Sequence, residues 1–527
     1  MHGMLLQQTE GRRGMIEQLK RGMRSASPAA VYAALMLGVF PLYYQNHYFN
    51  INTCKYRLFL WLTLFLCVGV AVCAVVRLVR RERPFAGVGL PVWAMLAFVC
   101  CAAVSCAFSE EPTKAFSGEL GRRSGLLYLL AVGAMTFCLS QGGGGYRVCL
   151  MIFLVSGSAA CALGVLNYYY VDPLRFYAQL TGGQENVFIS TIGHINFFGA
   201  FVAMVLSFAL AGAISARRRA VRIVCQAFAF MGFSAALAAR SDSVYIAIAA
   251  LALALLRPAL ASWRALARAL LCAASFFLSA WLMGILPFEH MELLGISAII
   301  AALGSSLAGL GGVCAALGVL FFALDAKGME ARALRYVRRA LYALCAIALL
   351  CVLLCVVWFT AFDRKTPLGS LENYLRLNEA WGTGRGFAWI HALGAYAEFS
   401  PLHKLFGCGP DMVRRVLAPL MTEQALANSG GVFENCHNEY LQYLLTTGAL
   451  GLGCYLTFLG TTFYRLARAG RQDPAVRAVF AAVFGYAAQA FVSVNQPITT
   501  TIFFVLCAAG LGLTADIARR QDAPDCL

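Results

Sequence analysis

The sequence predicts an all-α polytopic membrane protein of about 12–14 transmembrane helices with one large extracytoplasmic loop. Composition is the first reason. Of 527 residues, 60% are hydrophobic and only 13% charged, where a soluble domain carries about 25% charged residues; mean hydropathy is +0.71. The second reason is that apolar runs recur at lengths near the ~20 residues that carry a helix across hydrocarbon. The third is that the basic residues crowd alternate connections between those runs.

In order, the runs are 29–44, 58–79, 89–108, 125–141, 148–170, 195–216, 223–239 and 244–256, then 269–287, 296–324, 341–362, 440–464, 478–495 and 498–515. The run 296–324 is long enough to hide a tilt or a break, and Gly304, Gly309, Gly311, Gly312 and Gly318 favour a break. The first run lacks the small-residue cleavage pattern of a removed signal peptide, so it is expected to stay as an anchor. The organisation expected is a cytoplasmic segment 1–28, a helix bundle 29–362, an extracytoplasmic loop 363–439, C-terminal helices 440–515 and a cytoplasmic tail 516–527.

The formal charge of +17 raises the possibility of nucleic acid, but its placement argues against that. Lys20, Arg21 and Arg24, then Arg80, Arg81 and Arg83, Arg217 to Arg219 with Arg222, and Arg257, Arg264 and Arg268 fall on one side. Arg332, Arg335, Arg338 and Arg339, Arg465, Arg468 and Arg471, and Arg519 with Arg520 continue the series. This is the positive-inside pattern of a multi-pass protein of the cell membrane, with both termini cytoplasmic. Membrane lipids are therefore partners and nucleic acid is not.

Loops 45–57, 109–124, 171–194 and 363–439 then face outward. They and the short outer connections hold Lys55, Lys114, Arg122, Arg123, Arg175, Arg240, Arg364, Lys365, Arg376, Arg385, Lys404, Arg414 and Arg415, on the side where cations are normally scarce. Some are solvated loop charges. Together they suit a polyanion, and arginine suits phosphate because its planar fork binds two oxygens at once. Most of the twenty cysteines lie inside apolar runs, and Cys54, Cys408 and Cys436 are the only ones clearly on the outward side. No metal-ligand spacing, P-loop or dinucleotide fingerprint occurs, so no metal and no cofactor are expected.

The last outer loop closes on Glu434-Asn435-Cys436-His437-Asn438-Glu439-Tyr440 and runs straight into an apolar helix. A loop of roughly eighty residues is far longer than a connection between helices requires. His437 at that helix start faces the positive end of the helix dipole, which disfavours imidazolium and leaves a proton-accepting ring. It is the candidate general base. Glu434 and Glu439 are alternatives, although carboxylates repel an anionic substrate. Asn435 reads as the N-cap, with Asn438 either orienting the ring or capping.

Gly384-Arg385-Gly386-Phe387-Ala388-Trp389, then Pro401, Phe406-Gly407-Cys408-Gly409 and His437-Asn438-Glu439-Tyr440-Leu441-Gln442 with Gly448 and Gly451-Leu452, resemble the bacterial O-antigen ligase and polymerase family. Arg123-Ser124-Gly125-Leu126-Leu127 and Gly193-His194-Ile195-Asn196-Phe197 resemble upstream stretches of the same family. The resemblance implies a C-type glycosyltransferase architecture and a metal-independent transferase. Its donor would be an undecaprenyl-diphosphate-linked glycan, and its acceptor a glycan, glycolipid, glycoprotein or growing chain. A lipid-linked glycan transporter is the reading from another class, but the polar constellation in one asymmetric loop favours the enzyme.

In that chemistry His437 takes the acceptor hydroxyl proton, and Arg385 leads the diphosphate clamp with Arg240, Arg122 and Arg123 as further members. Asn438, Glu439 and Asn435 support the base. Arg385 opens an amphipathic helix through Glu398, with Trp389 one turn along on its face and His391 about 120 degrees round. A salt bridge to Glu379 is the structural alternative for Arg385. In Arg240-Ser241-Asp242 the order departs from the family's Ser-Arg pair, and Asp242 reads as a helix cap, with a ligand for the acceptor hydroxyl as the alternative. His194 stands where the family tends to Asn and reads as structural.

Overall fold

The computed structural model describes residues 27–85, 87–181, 184–285, 304, 306–379, 381–420 and 434–522. Most of the segment 1–28, the start of the run 296–324, residues 421–433 of the long loop and the end of the tail lie outside these described residues. The helices are α1 Pro28–Gly38, α2 Ile51–Val79, α3 Leu90–Ala107, α4 Leu126–Ser140, α5 Tyr146–Tyr168, α6 Ile195–Ser215, α7 Arg219–Ala238 and α8 Ser243–Ala259. They continue with α9 Trp263–Ile285, α10 Ser306–Ala326, α11 Arg332–Val357, α12 Trp381–Glu398, α13 Glu439–Ala469, α14 Pro474–Gln489 and α15 Pro497–Asp522. Among the described residues 11 helices are long and apolar enough to cross a membrane, and α1, α4 and α8 are shorter apolar helices. Helix α12 belongs to the loop between α11 and α13.

Local chemistry starts several of these helices. Ser27 Oγ accepts the N–H of Ala30 and Pro28 opens α1, while Asp473 Oδ1 accepts from Ala475 and Val476 with Pro474 opening α14. The bundle is built around α6 and α15, each 89% buried over its most apolar stretch, whereas α11 is 0% buried over its own. Polarity cannot explain that difference, because α11 is the more hydropathic helix; among the described residues it is the candidate span least covered by the rest of the chain. Phe198 and Phe201 on α6 and Phe503 and Phe504 on α15 are fully buried.

One departure from an all-α fold is a two-stranded antiparallel ladder, β1 Phe188–Ile189 with β2 Gly193–His194. It leads directly into α6 and fixes His194 at that helix start, where Nδ1 accepts the N–H of Asn196 at 3.1 Å.

Candidate active site

The long loop is locked onto the bundle at a break in α13. Gly448 has φ 71° and ψ −176° inside that helix, a region open almost only to glycine. A side chain there would collide with the carbonyl of Leu405, and one at Gly407 would collide with the backbone of Thr446 and Thr447. The break frees carbonyls that α13 would otherwise use. Leu445 O accepts the N–H of Cys408 at 2.9 Å and Thr446 O accepts that of Gly409 at 3.2 Å. Ser105 Oγ of α3 donates to the same Thr446 oxygen at 2.6 Å.

Two residues later the chain makes a second tie. Asp411, at φ 63°, accepts the N–H groups of Glu119 at 2.8 Å and Ser124 at 3.2 Å through Oδ2. Its Oδ1 lies 3.2 Å from Arg122 Nε, with side-chain exposures of 1% and 3%. The Arg122 Nη1 donates to Glu434 O. Burial holds the Asp411 carboxyl above the usual range, opposed by Arg122. Arg122 thus joins the loop before α4, the 411 turn and the 434 turn, and its buried Nη2 has no hydrogen-bond partner among the described residues. Sequence reasoning missed Asp411; its signal was an acid two residues beyond Gly409 in a glycine-rich block.

The His437 turn follows. Asn435 is not the N-cap expected of it: its Oδ1 accepts the N–H of His437 at 2.9 Å. Asn438 caps α13 instead, its Oδ1 accepting from Tyr440 and Leu441, each at 3.0 Å. Cap and turn are distinct because the helix begins at Glu439, leaving His437 two residues outside it at φ 47°. The imidazole is pushed well below the ordinary histidine value, first by burial, then by the charges of Arg385 and Arg122 and by His194. Desolvation and neighbouring cations thus favour the neutral ring. The two carboxylates flanking it are occupied. Glu434 pairs with Arg414 at 3.3 Å, and Glu439 is buried and accepts from Tyr455 at 2.6 Å and Tyr486 at 3.1 Å.

Arg385 reaches this turn from α12, which starts four residues earlier than the expected helix because Trp381 caps its apolar face against Trp389. Trp389, Ala392 and Tyr396 pack on Val413, Leu417, Cys436, Leu441 and Leu445 in a small core of their own. That core sets α12 over the start of α13. Arg385 Nη1 donates to Gly382 O at 3.2 Å, and its Nε is buried without a hydrogen-bond partner. The salt bridge to Glu379 is absent: Glu379 faces His391 at 3.2 Å instead. Burial lowers the Arg385 guanidinium pKa, offset by Asp242. Asp242 precedes α8 but makes no side-chain cap bond, so its expected capping role gives way to a position facing Arg385.

The structure therefore brings together His437, Arg385, Arg122, His194 and Asp242. Arg240 is set differently, at φ 48°, donating to Asn186 O at 2.8 Å with Tyr168, Tyr177 and Tyr170 as electrostatic neighbours and burial lowering its pKa. Arg123 sits at φ 60° with its Nε buried, beside Tyr56. Five of the outward cations expected from sequence are committed to other groups. Lys55 is fully buried and donates to the carbonyls of Phe40 and Pro41, both at 2.8 Å. Lys114 and Arg415 pair with Glu111, Arg376 with Glu372, and Arg414 with Glu434.

Among the described residues no three His, Cys, Asp or Glu side chains are grouped to hold a metal ion, and the cysteines are free thiols. No curated protein matches the chain. Residues 292–456, which carry α12, Arg385, the Gly407 and Gly448 crossing and the His437 turn, match the O-antigen ligase family.

Proposed function

We propose that this protein is a membrane glycosyltransferase that moves a glycan from an undecaprenyl-diphosphate carrier onto an acceptor hydroxyl at the extracytoplasmic face, in the manner of an O-antigen ligase. The acceptor is a glycan, glycolipid or glycoprotein, and a growing chain of the same glycan would make the protein a polymerase. The architecture we infer is that of a C-type glycosyltransferase, with the loop after α11 outside the membrane and both termini inside. The observation that carries this reading is a neutral His437 held beside the buried guanidinium of Arg385 while both neighbouring carboxylates are engaged elsewhere.

The acceptor oxygen forms a bond to the anomeric carbon as the bond from that carbon to the diphosphate oxygen breaks. His437 takes the hydroxyl proton, and the electron pair leaves with the diphosphate, whose growing charge Arg385 stabilises. Arg122 adds field from behind, since its side chain is committed to Asp411 and Glu434. Donor binding also prepares the base. A diphosphate against Arg385 offsets the cationic field that suppresses His437, raising its basicity when an acceptor can be deprotonated. Asp242, facing Arg385, is positioned to receive an acceptor hydroxyl or to orient the guanidinium.

The test is a transfer assay with the purified protein in lipid nanodiscs, a polyprenyl-diphosphate-linked glycan and a series of acceptor glycans. Acceptor-dependent release of the polyprenyl diphosphate is expected. Movement of intact donor across vesicle membranes with no release at all would replace the transferase by a transporter.

A further inference from the structure

A large cavity lies far from His437. The part of helix α13 after the Gly448 break alone spans roughly 30 Å; the His437 turn precedes one end of α13 and the cavity, of about 1120 Å³, opens at the other between α8, α9, α11, α13 and α14. Seven arginines and one acid, Glu330, line it. Three of the arginines are already committed. Arg332 pairs with Glu330 at 2.8 Å, Arg268 donates to Ile214 O at 3.1 Å, and Arg477 donates to Gly470 O at 2.9 Å and Ser215 Oγ at 3.1 Å.

The other four, Arg257, Arg335, Arg338 and Arg471, have no carboxylate and no hydrogen-bond acceptor for their guanidinium groups among the described residues. They stand on two walls. Arg335 and Arg338 are three residues apart and share one face of α11, while Arg257 is near the end of α8 and Arg471 follows α13. Between them the lining turns apolar at Leu253, Leu260, Phe480 and Phe484. One wall, α11, is the helix with 0% burial over its apolar stretch, so the cavity is reached sideways from lipid as well as from water.

We infer that this cavity is a binding site for an anionic glycerophospholipid bearing two phosphates, drawn from the leaflet opposite the His437 site. Two arginines on each wall match one phosphate apiece, and an acyl chain follows the apolar lining toward α11. Basic pockets between helices at a membrane face hold such headgroups through charge plus chain burial. A water-soluble phosphate compound would satisfy the arginines but leave the phenylalanine and leucine lining without an occupant. The inference is independent of the chemistry assigned to His437.

The full-length protein, stripped of lipid in a neutral detergent, is titrated with cardiolipin, with phosphatidylcholine and with inorganic pyrophosphate, reading bound lipid by native mass spectrometry and stabilisation by thermal unfolding. Cardiolipin should bind at one site and raise the unfolding temperature where phosphatidylcholine does not. Arg335→Glu with Arg338→Glu should weaken cardiolipin about tenfold or more, and Arg339→Glu, on the same helix but outside the lining, should not. Arg335→Ala with Arg338→Ala supplies the same reading if charge reversal hinders folding. Equal weakening by Arg339→Glu would reduce the effect to general surface charge and overturn the site. Displacement of cardiolipin by pyrophosphate at equal concentration would overturn the lipid and leave a soluble phosphate ligand in its place.

Discussion

Asn435 Oδ1 accepts the backbone N–H of His437 at 2.9 Å, and this bond closes the turn that holds His437 at φ 47°. A non-glycine residue in the left-handed region costs on the order of 1–3 kcal/mol and persists only where its surroundings over-determine it. Here they do. Arg122 grips the carbonyl of Glu434 on one side, and the Asn438 cap anchors α13 on the other. Arg123, Arg240 and Asp411 share the same backbone region at φ 60°, 48° and 63°.

Arg385→Ala is expected to slow donor use by about 2–4 kcal/mol of barrier, the range for losing one preorganised charge-stabilising donor. Arg385→Lys should recover only part of that, because an ammonium cannot reproduce a planar two-pronged contact. Initial rates at saturating acceptor, with donor varied, check this; a well-folded Arg385→Ala protein at wild-type rate would make Arg385 structural.

Gly448→Ala should destabilise the junction between loop and bundle by about 1–3 kcal/mol and lower transfer without touching a reacting group. The added methyl would meet the Leu405 carbonyl and push residues 405–409 off the freed carbonyls of α13. Limited proteolysis of the loop, compared between variant and wild type, reads the undocking directly. Unchanged protection would mean the kink is dispensable.

The pH dependence follows from the lowered pKa of His437. A base needed neutral keeps that state to lower pH when its pKa falls, so the acid limb of kcat/KM should lie below the ordinary histidine value of about 6.5. For stability the sign is also set. The folded chain binds this proton less readily than the unfolded chain, so the contribution is complete above the unfolded value and is lost as pH falls below it. Rate and thermal-unfolding profiles from pH 5 to 8 test both, and an acid limb above 7 would contradict them.

A cysteine introduced at Lys365, in the exposed stretch after α11, should react with a membrane-impermeant thiol reagent added from outside, and one introduced at Arg339 should not. The alternating arginine clusters motivate the expectation. The reverse pattern would turn the protein over and place His437 on the wrong side for a donor in the outer leaflet.

Each apolar run in the sequence coincides with a helix, over 306–326 alone for the run 296–324, because hydrocarbon imposes length and composition on any spanning segment. What escaped was set by distant partners. Lys55 looked like an outward cation because nothing nearby reveals the carbonyls of Phe40 and Pro41 waiting for it. Asn435 and Asn438 are equally good caps by residue type, and only the helix start at Glu439 separates them. Asp411 and Arg122 lie far apart in sequence yet form one buried pair, and a glycine inside an apolar run gave no notice that α13 breaks at Gly448 to receive the loop. His437 and Arg385 stand out through the motifs of the resemblance, and the structure sets Arg385 within electrostatic reach of His437.

The most direct measurement is glycan transfer by His437→Ala, made in parallel with expression, membrane insertion and donor binding. The side chain sits in a turn outside α13, so its removal leaves the packing of that helix in place. Transfer should fall by about 10²–10⁴, the range for losing a positioned proton acceptor, while donor binding stays close to wild type. Transfer within a few-fold of wild type across pH 6 to 8 would contradict the general-base role and pass it to a carboxylate or to the substrate itself.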